Sequence, residues 1–302
     1  MCRREYTIRC VSVTAADSYA DGMRIIARLK ELDGPNVNPD CHTRIYSHGH
    51  RTERSLLLLH GFTNCPQQFD LLGRHFHERG WNVLIPRYPR HGYTDRLNTS
   101  LSELSADQLI AVANQSASAA ARLGETLTVA GLSLGGVLAG YLAQKHDQIQ
   151  RAVLIAPMFG LKGIPGPVYR MLARLAFVLP NRFVWWDPKL KDQRGPAYGY
   201  PRFATRGYAA LFQAGSAVLK DSRDAAPQAR ALAVITNESE PRLDNRFTYQ
   251  LIDAWRRWGS DVSTYEFPTS AHLPHDLIDP GNEQQNIDVS YPVVKRFITG
   301  EY

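Results

Sequence analysis

A chain of 302 residues, 44% hydrophobic and 21% charged, can bury a sizeable core and is too apolar to remain disordered. Its net charge of +6 and pI near 9.2 come from Lys and Arg scattered in ones and twos among acidic residues. That describes a solvated basic surface, and excludes the continuous basic stripe of a nucleic-acid binder.

The N-terminal segment, Met1-Cys-Arg-Arg-Glu-Tyr6, is basic but leads into no apolar run of signal-peptide length, so a cytoplasmic protein is expected. The four cysteines, Cys2, Cys10, Cys41 and Cys65, lie in the first quarter. They are too sparse for a disulfide-stapled domain and wrongly spaced for a zinc site, so free thiols are expected. No repeat or low-complexity tract interrupts the chain.

The first strong element is the apolar run 55–59, Ser-Leu-Leu-Leu-Leu, followed by a helical pattern over 66–79. A second short run, 82–85, precedes a long helical stretch from about 102 to 123. A third run, 127–130, opens into a helical pattern over 133–145, and a fourth occupies 151–155. The longest uncharged stretch, 126–144, is broken by Gly131, Gly135, Gly136 and Gly140, so it reads as strand, turn and helix and not as a membrane span.

Between 159 and 230 the alternation fails. Seven prolines and many aromatics mark this stretch as an insertion, expected to form a cap within a single domain spanning 1–302. The rhythm then resumes with a strand at 231–236, a helix at 243–258, a strand at 261–267 and a last helix near 290–298. Continuous apolar runs separated by helices are the pattern of buried parallel strands, so the expected fold is α/β, a mostly parallel sheet covered on both faces.

Chemistry enters at Gly131-Leu-Ser-Leu-Gly135. A serine between two glycines, directly after a strand and opening a helix, is a nucleophile elbow, which makes Ser133 the candidate nucleophile. The turn is too tight for side chains at its flanks. It also presents the Leu134 N–H at a helix start, where it can donate to a developing oxyanion. The second donor is expected in His60-Gly-Phe-Thr-Asn64, from the Phe62 N–H, with Thr63 as the alternative. His60 suits a structural hydrogen bond holding this loop, and Cys65 has no cationic neighbour to activate it.

The acid and the base follow the serine in that order. Glu238, Glu240 and Asp244 compete after the strand at 231–236. Glu240 has the best spacing, with Asp244 as runner-up and, in the alternative, the start of the following helix. For the base, both His272 and His275 follow the last strand, and spacing alone leans to His272.

Several segments together resemble a bacterial group of α/β-hydrolase-fold serine esterases related to monoacylglycerol lipases and carboxylesterases. They are Asn38-Pro-Asp-Cys-His-Thr-Arg44, His60-Gly-Phe-Thr-Asn-Cys-Pro66, Pro86-Arg-Tyr-Pro-Arg-His-Gly92, Gly131-Leu-Ser-Leu-Gly-Gly136, Trp185-Trp-Asp-Pro188 and His275-Asp-Leu-Ile-Asp-Pro280. The resemblance implies that His275 is the base, because the position of His272 is often not histidine in that group. It also implies an aspartate where this chain has Glu240.

The function expected is therefore a Ser133–His275–Glu240 carboxylesterase or lipase-like enzyme working through an acyl-enzyme, with a small-molecule ester as its partner and no need of a metal or organic cofactor. Phe177, Phe183, Trp185, Trp186, Tyr198, Tyr200, Phe203, Tyr208 and Phe212 could line an apolar acyl pocket, with Trp185 and Trp186 the named substrate contacts, or make up a small core of the cap itself. An epoxide hydrolase or dehalogenase would carry aspartate at 133. A proline iminopeptidase-like peptidase would use acidic cap residues such as Asp187, Asp192 and Asp221. A non-catalytic binding protein on this fold would have lost the serine or the histidine, and both are present.

Overall fold

The computed structural model describes residues 19–163, 179–193 and 195–301. Nine strands and seven α-helices are defined among them. The main sheet has seven strands in the order β1-β3-β2-β4-β5-β8-β9. They are β1 (Arg44–Tyr46), β2 (Thr52–Leu59), β3 (Asn82–Ile85), β4 (Gly124–Leu132), β5 (Ile149–Ile155), β8 (Ala231–Asn237) and β9 (Val262–Phe267). All pair in parallel except β1, which runs antiparallel to β3 at one edge.

The unbroken Leu56–Leu59 run follows from burial on both faces of the sheet. Leu57 and Leu59 point to the face covered by α1 (Tyr19–Glu31), α3 (Ala106–Ala120), α4 (Leu134–Lys145), α5 (Thr205–Asp224) and α6 (Asn245–Arg257). Leu56 and Leu58 point to the face covered by α2 (Asp70–His77) and α7 (Ile287–Thr299), where Phe76 and Phe297 are packed. The parallel strands β2, β4, β8 and β9 run the same way, so the loops that follow them emerge at one end of the sheet. Among the described residues no helix is long and apolar enough to cross a membrane.

Two features depart from the sequence expectations. The 159–230 stretch is not irregular throughout, since α5 occupies 20 of its residues and buries Leu211, Phe212, Ala214 and Val218 against the sheet-covering layer. No proline falls between Pro201 and Pro227, which left room for a helix. Before α5 a small sheet pairs β6 (Phe183–Trp185) with β7 (Arg202–Ala204) in antiparallel register.

The second departure concerns the thiols. Cys41 and Cys65 are not free; they form a disulfide with Cα atoms 5.2 Å apart. Cys41 ends the short 3-10 turn Pro39–Cys41, and Cys65 begins the one at Pro66–Phe69. Folding lays these two turns together and buries both sulfurs, a juxtaposition that sequence spacing does not encode. Cys2 and Cys10 lie outside the described residues.

Candidate active site

Ser133 sits where β4 turns into α4, with φ 58° and ψ −112°. That conformation is strained for a residue with a side chain, and packing enforces it. The Ser133 N–H donates to the Ile155 carbonyl at 2.9 Å, and its carbonyl accepts from Met158 N at 3.2 Å. The flanking glycines are a geometric necessity. A Cβ on Gly131 would lie 2.1 Å from the Gly135 carbonyl oxygen, and one on Gly135 would lie 1.8 Å from that of Leu59. Leu134 is the first residue of α4, so its N–H has no partner within the helix.

The loop after β2 faces this turn. His60 is fully buried beneath it. Its Nδ1–H donates to the Gly61 carbonyl at 2.9 Å, its Nε2 accepts from Tyr88 N at 3.4 Å, and its ring stacks on Tyr88 at 3.8 Å. Burial, with His91 nearby, lowers its pKa well below the ordinary imidazole value, so His60 is a neutral structural residue. Tyr88 belongs to the Pro86–Gly92 motif, whose Arg87 is buried against Asp33 at 2.7 Å.

Phe62 lines the central cavity. Thr63, with φ 63°, is held from the 159–230 segment. Its Oγ1 accepts from Trp186 Nε1 at 2.9 Å and its carbonyl from Tyr200 N at 2.7 Å.

The loops after β8 and β9 supply the carboxylate and the imidazole. The His275 Nδ1–H donates to Glu240 Oε2 at 2.6 Å. Glu240 Oε1 accepts from the N–H groups of Arg242 at 3.1 Å and Leu243 at 3.4 Å. Its carbonyl takes the Lys162 Nζ, and Asn237 Nδ2 reaches across to the Leu273 carbonyl at 2.9 Å.

Glu240 is 1% exposed. Burial alone would raise its pKa, but the His275 charge, their hydrogen bond and the two backbone donors outweigh that and hold it low. For His275 the balance runs in mirror image. Burial pushes its pKa down, and Glu240, with Asp276 behind it, pushes it further up, so it ends above the ordinary imidazole value. His275 Nε2 is buried and has no hydrogen-bond partner among the described residues. It lies on the same cavity as Ser133, a space of about 200 Å³ also bounded by Phe62, Met158, Trp186, Tyr200, Arg242 and Asp276.

Other sequence candidates fall elsewhere. Asp244 caps α6 and gives its carboxylate to Arg246 through contacts of 2.6–3.1 Å. Glu238 caps the turn at Thr269. His272 ends the 3-10 turn Thr269–Ala271 in a left-handed conformation, and Glu240 is bonded to His275 instead.

Trp185, expected at the substrate, is not among the residues on the cavity. It lies on β6 under the guanidinium of Arg202, 5.6 Å from its ring centre, while its neighbour Trp186 turns inward. Phe203, Tyr208 and Phe212 pack edge and face on one another and reach Phe62, so they form a small aromatic core beside the cavity. Phe183 stacks under Arg202 at 4.5 Å. Phe177 lies outside the described residues.

Sequence reasoning gave no role to a polar group joining the loops. Asp279 is fully buried and accepts from Tyr198 Oη at 2.5 Å, Asn64 Nδ2 at 3.0 Å and Gly281 N at 2.9 Å. Burial and the nearby Asp276 push its pKa up to about 6. The fully buried Gln68 lies beside it. Asn64 and Asp279 both fall inside the motifs read from the sequence, but Gln68 carries no local signal at all.

Residues 56–280 match the Alpha/beta hydrolase family. A thermostable monoacylglycerol lipase from Bacillus sp. (strain H-257) is 32% identical over 96 residues, an alignment covering 31% of this chain and 36% of that lipase. The chain thus spans about a third of that relative's length.

Among solved structures, one of the metagenome-derived lipolytic enzymes LipS and LipT superposes with a TM-score of 0.64 at 16% identity, covering 88% of this chain and all of that one. A soluble variant of the Saccharomyces cerevisiae monoglyceride lipase gives 0.64 at 15% identity over 86% and 90% of the two chains. The Paleococcus ferrophilus monoacylglycerol lipase gives 0.64 at 14% over 85% and 98%. At these identities the likeness is one of fold.

Proposed function

The chain belongs to the alpha/beta hydrolase family, and from that premise we propose that it is a serine carboxylesterase acting on a small apolar ester. The observation that carries this reading is the His275 imidazole, bound to Glu240 through Nδ1 and presenting a partnerless Nε2 on the cavity that holds Ser133.

His275 Nε2 takes the Ser133 Oγ proton as the oxygen attacks the ester carbonyl. Glu240 fixes the tautomer and stabilises the imidazolium that forms. The Phe62 and Leu134 N–H groups receive the oxyanion, each worth about 3 kcal/mol in comparable sites. The imidazolium then protonates the leaving alcohol. Water, activated by the same histidine, releases the acid.

Trp186, Tyr200 and Met158 make part of the cavity wall apolar, and its modest volume favours a short acyl chain. The 159–230 insertion acts as the cap, a role supported by Trp186, Gly195, Pro196, Gly199 and Tyr200, which line the cavity. A peptidase would draw on Asp187, Asp192 and Asp221, none of which is among the cavity-lining residues. Asp221 is paired with Lys145 at 2.7 Å. The buried Cys41–Cys65 disulfide supports an oxidising compartment over the cytoplasm expected from the sequence.

The test is hydrolysis of p-nitrophenyl esters from acetate to decanoate, with Ser133→Ala as the blank. We expect release on the short esters that falls by at least about 10⁴-fold in the variant. Equal release from both proteins would remove Ser133 from the reaction.

A further inference from the structure

The oxyanion loop and the histidine loop are distant in sequence and leave different strands. Among the described residues, no backbone–backbone hydrogen bond joins them. Their polar connection runs through side chains, and Gln68 is at its centre. Gln68 is fully buried in the 3-10 turn Pro66–Phe69.

Its Oε1 accepts the Gly61 N–H at 2.8 Å, which orients the amide. The Nε2 side then faces two carboxylates, Asp276 Oδ1 at 3.2 Å and Asp279 Oδ2 at 3.4 Å. The opposite amide orientation would set N–H against N–H. Gly61 directly precedes the proposed oxyanion donor Phe62, and Asp276 directly follows the proposed base His275. The bridge therefore ends one residue from each. Asp279 anchors it, holding Asn64 of the same oxyanion loop at 3.0 Å and Tyr198 of the 159–230 segment at 2.5 Å.

We propose that Gln68, anchored on Asp276 and Asp279, is a positioning residue that fixes the oxyanion donor and the general base relative to each other. This rests on the esterase reading above. Ser133 is set by its own turn, but its two helpers arrive on separate loops, and transition-state stabilisation depends on both being placed together. The competing view is that Gln68 only satisfies a buried Gly61 N–H and so matters for stability alone.

Two variants separate these views. Gln68→Glu keeps the acceptor for Gly61 and nearly the same volume, but loses the donor and sets a third carboxylate beside Asp276 and Asp279. Asp279→Asn leaves the Gln68–Gly61 contact alone and turns the anchor partly into a donor. Active serines are counted by fluorophosphonate labelling, so that kcat is read per competent site and separately from the amount folded. Positioning predicts that each variant loses about tenfold or more in kcat and in labelling rate, with KM within about threefold of the parent.

A purely structural role predicts a lower Tm with normal kcat per labelled serine. That result in either variant overturns the proposal. If the parent cleaves no ester, the esterase reading fails, yet the labelling rates still decide whether Gln68 positions the site around Ser133.

Discussion

Ser133 and His275 reach one cavity by different means. Ser133 is fixed by backbone packing, in a turn where a methyl group at Gly135 would sit 1.8 Å from the Leu59 carbonyl oxygen. His275 is carried on a loop beyond β9, and its ring is fixed by a hydrogen bond to Glu240, itself carried on a loop beyond β8. Excluded volume builds one half of the site, and side-chain hydrogen bonds build the other. Substitutions in the first half should therefore register mainly as stability, and those in the second as rate and pH dependence.

The sharpest test of that contrast is Glu240→Gln, which keeps the size of the side chain and removes the carboxylate proposed to orient the base. We expect kcat to fall by about 10⁴-fold, as losing the orienting acid does in comparable triads. The pH profile carries the sign. In the parent, Glu240 raises the His275 pKa, and the imidazole must lose that proton before it can accept one from Ser133. The activity limb therefore lies above the ordinary imidazole value of about 6.5. In the variant burial and Arg242 still lower it and only Asp276 is left to raise it, so the limb should move to lower pH. A pH–rate profile with an unmoved limb would break the assignment.

Gly135→Ala tests the other half. The clash with Leu59 and His60 backbone oxygens cannot be relieved by a rotamer, so we expect about 4 kcal/mol or more of lost stability in chemical denaturation. Stability within about 0.5 kcal/mol of the parent would mean the elbow is looser than this packing requires.

Asp244→Ala has the smallest expected effect. Asp244 caps α6 through Arg246 N at 3.1 Å, so its loss should cost about 1 kcal/mol of stability and leave kcat within about twofold. A collapse of kcat instead would return the acid role to Asp244.

The same contrast explains what was legible in the sequence. The elbow is local, because two glycines are demanded by contacts across a few residues, and the pattern carries them on its face. The Leu56–Leu59 run likewise announces a strand buried on both sides. Spacing points to Glu240 over Asp244 but leans to His272 over His275, since candidates this close in sequence differ by only a few residues of loop. Their fates separate in three dimensions, where Glu240 turns toward His275 and Asp244 toward Arg246.

Trp185 and Trp186 are adjacent, so periodicity cannot say which one turns inward. The Cys41–Cys65 pairing depends on two short turns meeting, and α5 was obscured by the prolines that precede it. Gln68 was invisible for another reason. A buried glutamine in a turn reads as ordinary polar surface until its three partners are known.

The sheet order has a consequence for the timing of maturation. Among the described residues β9 pairs only with β8, and β8 joins β5 only after the chain has passed through the whole 159–230 excursion. During synthesis the elbow serine emerges long before the strands that carry its proposed acid and base, and such distant pairings close late. A partly made chain would hold a buried, unassisted serine. With the proposed triad, hydrolysis has to wait until the C-terminal strands complete the sheet, so turnover would report that they are in place.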